Sequence, residues 1–411
     1  MSSCYPPHEN WLSFNEARDA LIAAITPLTT IETVDLLAGL DRVVATDIHA
    51  SISVPAFANS AMDGYALCYK DVAGVGARLA VSQRIAAGSS PAPLQRGTAA
   101  RIFTGAPLPS GADTVIMQED VTVDDNYIAL NAPLTRGAYV RDVGADIAQG
   151  ALLLAKGTRL SAANVGLLAS VGITHLQVIR RARVALLTTG DELVMPGTTI
   201  TAGKIYNSNH FLLLSLLRNV GCEIVGANTA PDQLNRTIET LRELAAQADL
   251  VITCGGVSVG EEDHVKHAIE ALGELAFWRV AIKPGKPLAF GRIGTTPVLG
   301  LPGNPVSACV TFCLFARPLL LRLQGAVNIL PRSVRVRAAF AWPKPGTRRE
   351  FLRAQCHRDA AGDDCVTIFP NQNSGVLSSV SWAHGLVCVP EQQTVSHGDI
   401  VEFFPYSEFG L

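Results

Sequence analysis

Hydrophobic and polar positions change period several times along the chain. Ser13 and Glu16 form a capping box at the start of a helix that runs over Ala17–Ile25 and stops at Pro27. Val34–Leu36 and Arg42–Ala45 read as short extended pieces. From Arg78 to Asp125, short alternating runs such as Ala99–Phe103 and Thr114–Met117 are separated by Gly and Pro, which predicts a small β domain. Ser161–Asn164 opens a small-residue helix through Ser170, with Gly172 as its cap. From Arg183 to Gln324 strands and helices alternate. The predicted strands are Val184–Leu187, Glu223–Ala227, Asp249–Ile252 and Pro297–Gly300. The predicted helices are Asn209–Val220, Leu234–Gln247, Val265–Leu272 and a long apolar one from Pro305 to Leu323. Such alternation implies a mostly parallel sheet covered on both faces. Phe277–Phe290 reads as a hairpin-like pair around Lys283–Pro287. After Pro331 the period returns to two, over Val334–Phe340, Val366–Phe369, Gly385–Val389 and Ile400–Phe404, which predicts a further small β domain, a barrel.

The fold class expected is therefore multidomain α/β plus β. It has a central three-layer α/β domain with a mostly parallel sheet, flanking small β domains and a C-terminal β-barrel. At 411 residues the chain is too long for one ordinary domain. With 48% apolar and 17% charged residues it can build large cores, and a net charge of −3 gives no electrostatic footprint for nucleic acid. Nine cysteines, an odd number with no CxxC, favour reduced thiols and a cytoplasmic location. Met1–Asn10 lacks the apolar core of a signal peptide. The apolar runs read as shorter than the ~20 residues of a membrane span, so no membrane association is expected.

The candidate chemistry concentrates in Ile252–Asp263, ITCGGVSVGEED, between a strand and a helix. Gly255, Gly256 and Gly260 let backbone approach a ligand, Ser258 adds a hydroxyl, and Glu261, Glu262 and Asp263 add carboxylates beside a helix start. Bare N–H groups there suit a phosphate; carboxylates at the same place make sense with a divalent cation between them. Taken alone, the loop reads equally well as a tight turn with Asp263 as N-cap. Three other strand ends carry polar or rigid groups: Asp191 and Glu192, Asp232, and the Pro302–Pro305 turn. Parallel strands place all such ends on one edge, and turn chemistry alone does not call for carboxylates at nearly every one. PAFANSAMDGYA carries a single charge, Asp63, which by itself reads as an Asx-turn. Thr104 follows a strand directly, and Arg141 with Asp146 reads in isolation as a solvated pair. Lys283 and Lys286, stiffened by Pro284 and Pro287, and Arg279 one alternation earlier supply positive charge for an oxyanion. Hard oxygen ligands favour Mg²⁺ with waters and substrate phosphates. His264 and His267 read as a solvated helix face, and Cys309 and Cys313 as core. No Walker A sequence or GxGxxG occurs.

PAFANSAMDGYA, FTGAPLPSGADTVIMQED, TTGDEL, GKIYNSN, TCGGVSVGEEDHV, IKPGKPLAFG and GLPGNPVSACVTF occur in one order along the chain. This combination closely resembles the molybdopterin molybdenumtransferases, the MoeA family that includes the gephyrin E domain. The resemblance spans essentially the whole chain. It implies the final step of molybdenum cofactor synthesis, in which adenylylated molybdopterin and molybdate react with Mg²⁺ to give the cofactor and AMP. It also implies an elongated homodimer of four-domain subunits, with the active site where the α/β domain of one meets parts of the other. The expected division is residues 11–48 and 147–182 as a discontinuous linker domain, 49–146 as a β-rich domain, 183–330 as the molybdopterin-binding α/β domain, and 331–411 as the barrel. Partners implied are a molybdopterin adenylyltransferase and recipient molybdoenzymes.

The resemblance carries Asp63, Thr104, Glu192, Asp232, Asp263 and Lys283 into catalytic roles, with Asp232, Asp263 and Glu192 as metal ligands. Substrate contacts fall to Arg141, Asp146, Gly255, Gly256, Ser258, Arg279, Lys286, Pro302, Pro305, Arg353 and Ser374. Arg279 stands where many members have Lys, and a guanidinium binds oxyanions differently from an ammonium. Glu350–Ala354 fits the family's ENFxRA-like stretch, whereas Asn371–Gly375 around Ser374 is a looser fit. The competing readings are a molybdopterin adenylyltransferase, which resembles the α/β domain alone, and a carrier that holds cofactor without turnover.

Overall fold

The structure is a computed structural model that describes residues 11–257, 264–359 and 361–411. Its centre is a six-stranded sheet in the order Glu223–Ala230, Arg183–Thr189, Leu250–Cys254, Thr296–Leu301, Pro287–Ile293, Gly273–Arg279. The first four strands run parallel, and the last two are antiparallel additions at one edge. Alternation along each parallel strand sends its side chains to two cores. Val184, Leu186, Leu250, Ile252, Leu299 and Leu301 pack on one face against the helices Ser208–Asn219 and Pro305–Thr311. Ala185, Leu187, Val251 and Val298 pack on the other, against Leu241 and Leu244 of Leu234–Gln247 and Val265 and Ile269 of His264–Leu272. Strands buried on both faces need near-continuous apolar sequence, which VALL and LVI supply.

The long helix expected after Pro305 is present but not uniform. It widens into a π-helical turn over Phe312–Ala316 before continuing as Arg317–Leu323. Pro318 is the physical reason: it has no N–H to donate, and its ring clashes with the carbonyl of Leu314, four residues back. Contrary to the sequence expectation, Pro305–Leu323 is long and apolar enough to cross a membrane by length and composition. It is 89% buried inside the protein and is the central helix of the larger core.

Five strands, Val334–Ala338, Arg349–Arg358, Asp364–Ile368, Gly385–Val389 and Ile400–Pro405, close a C-terminal barrel. The hairpin predicted over Phe277–Phe290 forms, with Arg279 opposite Pro287 and Phe277 opposite Phe290. Its connection does more than turn. Ile282–Lys283 leaves the central sheet and pairs in parallel with Arg349–Glu350 of the barrel. The other β unit is a sheet in the order Thr114–Met117, Gly64–Leu67, Thr98–Ile102, Arg78–Ile85, Tyr127–Leu130, Val121–Asp124. The chain departs for this sheet and returns. Ile31–Asp35 pairs with His175–Ile179, and Ile48–His49 pairs with Leu152–Leu154.

The N-terminal helix Phe14–Ala23 begins as the capping box predicts: Ser13 N–H donates to Glu16 Oε2 at 2.8 Å and Glu16 N–H donates to Ser13 Oγ at 3.3 Å. Phe14 lies 5.4 Å from the ring of Phe315 in the π turn and 5.3 Å from that of Phe351 in the barrel. One side chain thus joins the α/β core to the barrel. Phe14→Ala is expected to remove about 3–5 kcal/mol of stability and to lower the urea unfolding midpoint; an unchanged midpoint would show that Phe14 does not hold the two units together.

Candidate functional site

The four parallel strands end at Thr189, Ala230, Cys254 and Leu301 on one edge of the sheet, and a cleft of about 840 Å³ opens beyond them. That volume is typical of small-molecule sites. Glu192, Asp232, Gly255, Gly256, Pro302 and Pro305 all line it, as the one-edge argument from sequence requires. Gly255 and Gly256 have φ of +96° and +64°. A Cβ on Gly255 would lie 2.6 Å from the Thr189 carbonyl oxygen, so both conformation and space demand glycine there. Loops from adjacent strands are tied by a crossed pair of bonds: Asp191 N–H donates to Asp232 Oδ2 and Asp232 N–H to Asp191 Oδ1, each at 3.1 Å.

Two helices begin at the same cleft. Asn207 caps the Ser208–Asn219 helix through its Oδ1, which accepts from His210 N–H at 3.1 Å, while its Nδ2 donates to Thr188 Oγ1 at 2.8 Å. Asn209 Nδ2 donates to the Gly303 carbonyl at 2.6 Å and to Cys254 Sγ at 3.2 Å. The helix from Pro305 starts opposite Ser374. Its Val306 N–H donates to the Ser374 carbonyl, and Asn304 Nδ2 donates to Ser374 Oγ, both at 3.0 Å. Ser374 therefore stands at the rim, beside cleft-lining Gly375 and Leu377. Helix N-termini present partial positive charge, so this edge sets anion-attracting backbone beside the carboxylates of Glu192 and Asp232. Thr189 Oγ1 and Asn209 Oδ1 are buried polar atoms with no hydrogen-bond partner among the described residues. Burial pushes the Cys254 thiol up to about 12, so it lines the cleft as a neutral thiol.

The remaining sequence candidates do not all meet at this cleft within one chain. Asp63 and Thr104 do meet each other. Thr104 donates to Asp63 Oδ1 from its N–H at 2.8 Å and from its hydroxyl at 2.9 Å. Those bonds, the backbone one first, hold the Asp63 carboxyl below the ordinary aspartate range. Asp63 and Thr104 belong to the β-rich sheet unit and are not among the cleft-lining residues described. Arg141 pairs across a short ladder with Asn59, and Asp146 N–H donates to the Val54 carbonyl; among the described residues no ion pair joins the two. Both instead brace the loop that leads to Asp63. Ser258 and Asp263 lie outside the described residues.

Lys283 and Arg353 both make contacts within the barrel. Lys283 Nζ is already engaged by Glu350 Oε2 at 3.1 Å, because Ile282–Lys283 is a strand of the barrel sheet and Glu350 is buried there. Arg353 is fully buried and does not line the cleft. Its Nε donates to Ser379 Oγ at 3.0 Å and its Nη2 to the Asn373 carbonyl at 3.3 Å. Burial pulls its guanidinium down to about 10, still charged at neutral pH. Arg353 thus holds the loop that carries Ser374 from behind. Burial, then repulsion by Arg279 and Arg348, lowers the Lys286 ammonium from its usual range, and Lys286 sits 4.7 Å over the Trp11 ring. Cys309 and Cys313 are core, as expected. Asn207, Asn209 and Lys204, which donates to the Asp191 carbonyl, carried no assignment from sequence. All three fall in GKIYNSN, and their signal was a polar run directly before an apolar helix.

Three family models match the chain in succession: the MoeA N-terminal region (domain I and II) over residues 12–172, a probable molybdopterin binding domain over 185–322, and the MoeA C-terminal region (domain IV) over 335–406. The chain is 36% identical to a molybdopterin molybdenumtransferase of Haemophilus influenzae over 96% of its own length and 99% of that protein's. It is also 36% identical to molybdopterin molybdenumtransferase 2 of Mycobacterium tuberculosis, over 87% and 91%. A crystal structure of the molybdopterin biosynthesis MoeA protein of Pyrococcus horikoshii is similar, with a TM-score of 0.76 at 32% identity, covering 97% of this chain and 99% of that one.

The Asp63–Thr104 contact makes a pH-resolved prediction. Because the folded pKa is lowered, the stability Asp63 contributes is complete above the unfolded carboxylate pKa of about 3.9 and is lost as pH falls through the lowered value. Thr104→Val removes the hydroxyl donor and leaves the N–H. The Asp63 pKa, read by carboxyl NMR titration, is expected to rise toward but not reach the ordinary value; no movement would mean the hydroxyl does not hold the carboxylate.

Proposed function

The chain belongs to the MoeA family of molybdopterin molybdenumtransferases, and from that premise we propose that it performs the final step of cofactor assembly: inserting molybdate into adenylylated molybdopterin with Mg²⁺ and releasing AMP. It is a transferase of molybdenum cofactor biosynthesis. The finer reading rests on one observation. Glu192 and Asp232 line the same cleft in which the helices from Ser208 and Pro305 begin. Helix N-termini attract phosphate, and carboxylates beside them repel it. The two are reconciled when a divalent cation lies between acid and phosphate.

The donors fit Mg²⁺ rather than a protein-only metal cage. Among the described residues no group of three or more His, Cys, Asp or Glu side chains is placed to hold an ion. Mg²⁺ is ordinarily held by one or two carboxylates, waters and substrate phosphates, and Glu192 and Asp232 supply hard oxygens for that. When bound, the ion would neutralise charge on the phosphates linking molybdopterin to AMP. The chain's own residues do the rest in this reading. The two helix N-termini orient the phosphate end. Gly255 and Gly256 let backbone approach it. Asn304 and Ser374 close the rim. Asp63 and Thr104 complete the site from a second copy of the chain, as a homodimer. This is supported by the prepared Asp63 carboxylate lying away from the cleft of its own chain and by the exposed apolar side chains of Ile31 and Leu37 on the linker unit.

Purified protein supplied with adenylylated molybdopterin and molybdate should release AMP only when Mg²⁺ is present. Glu192→Gln and Asp232→Asn are each expected to lower that rate by about 10²–10³-fold while circular dichroism stays unchanged. Cofactor binding without AMP release by the wild type would favour a carrier instead. Wild-type rates in both variants would remove the cleft carboxylates from the reaction.

A further inference from the structure

Asp191 precedes Glu192 just beyond the end of the Arg183–Thr189 strand. In the structure it stands at a junction of three cleft elements. Its Oδ1 accepts from Asp232 N–H on the neighbouring strand end, and its own N–H returns the bond to Asp232 Oδ2, both at 3.1 Å. Its carbonyl accepts from Lys204 Nζ. Lys204 begins the return limb of a loop whose Leu193–Val194 pairs in parallel with Ile205–Tyr206. Ile205 N–H donates to the Glu192 carbonyl at 2.8 Å, and Asn207 N–H donates to the Val194 carbonyl at 2.9 Å. The loop is thereby fixed to the N-terminus of the helix from Ser208.

The exchange uses one carboxylate oxygen on each side. Asp191 spends Oδ1 and Asp232 spends Oδ2, so each keeps a second oxygen outside the brace. The Asp191 side is exposed, where an amide–carboxylate bond contributes little to folding because water competes for both partners. Its effect is therefore geometric: it locks the Asp232 backbone at one height above the sheet.

We propose that Asp191 is a positioning residue, whose carboxylate fixes Asp232 in the cleft while Lys204 holds Asp191 from the loop side. This rests on the reading that Asp232 works in the cleft, and the test separates the two. Misplacement of a working group by about 1 Å can cost up to 10²-fold in rate. In the full chain, Asp191→Ala is expected to lower kcat for AMP release by about 10-fold or more, a loss near 1.4 kcal/mol, with KM for adenylylated molybdopterin nearly unchanged. Asp191→Asn keeps an oxygen that accepts from Asp232 N–H and should restore most of the rate. Combining Asp191→Ala with Asp232→Asn should cost no more than Asp232→Asn alone, since a positioning residue has nothing left to position. Amide hydrogen exchange at Asp232 should quicken in Asp191→Ala. Unchanged kcat in Asp191→Ala, additive losses in the double variant, or unchanged exchange at Asp232 would each overturn the proposal. Loss of AMP release in the wild type, or a wild-type rate in Asp232→Asn, would instead sink the underlying reading, and the exchange measurement would still decide whether the brace exists.

Discussion

Parallel pairing of four strands is the constraint on which the rest depends. Neighbours aligned in one direction cannot be joined by tight hairpins, so the chain leaves Arg183–Thr189, Glu223–Ala230 and Leu250–Cys254 through a helix before it returns to the sheet. Two consequences follow together. The inner strands Arg183–Thr189 and Leu250–Cys254 are buried on both sides, which requires the continuous apolar runs of Val184–Leu187 and Leu250–Ile252. Every carboxyl end then falls on the same edge, and the helices that follow begin there. Thr189, Ala230, Cys254 and Leu301 end level enough that the loops behind them share one cleft.

Electrostatics at that edge is mixed by construction. Helix starts at Ser208 and Pro305 bring partial positive charge, while Asp191, Glu192 and Asp232 bring full negative charge. The Asp191–Asp232 brace lessens the conflict between the two aspartates by giving each carboxylate a backbone N–H. What is left at the cleft is a surface suited to a phosphate bound together with a cation, and poorly suited to either alone.

The barrel is not an independent appendage. Lys283 and Glu350 join it to the central sheet through a strand pair and an ion pair, and Phe14 packs against Phe315 and Phe351 on the two sides of the junction. From the barrel, buried Arg353 steadies the loop whose Ser374 meets Asn304 at the head of the Pro305 helix. One wall of the cleft is thus furnished by a domain far away in sequence, and its rigidity comes from a charge kept inside that domain.

Local pattern alone determined a good deal. The helix Leu234–Gln247 has the bounds its periodicity gives, the Ser13 capping box forms, the helix opened at Ser161 runs through Ser170, and the parallel sheet places Glu192, Asp232, Gly255, Pro302 and Pro305 on one edge. These depend on period, caps and strand direction, which neighbouring residues encode. Tertiary structure decided what depends on distant partners. It turned Lys283 toward Glu350, buried Arg353 behind Ser374, and separated Asp63 and Thr104 from the cleft of their own chain. It also crossed Asp191 with Asp232, 41 residues apart in sequence. A side chain's type and spacing state what it can bond to, but only the packing of remote segments states which of several equal partners it meets.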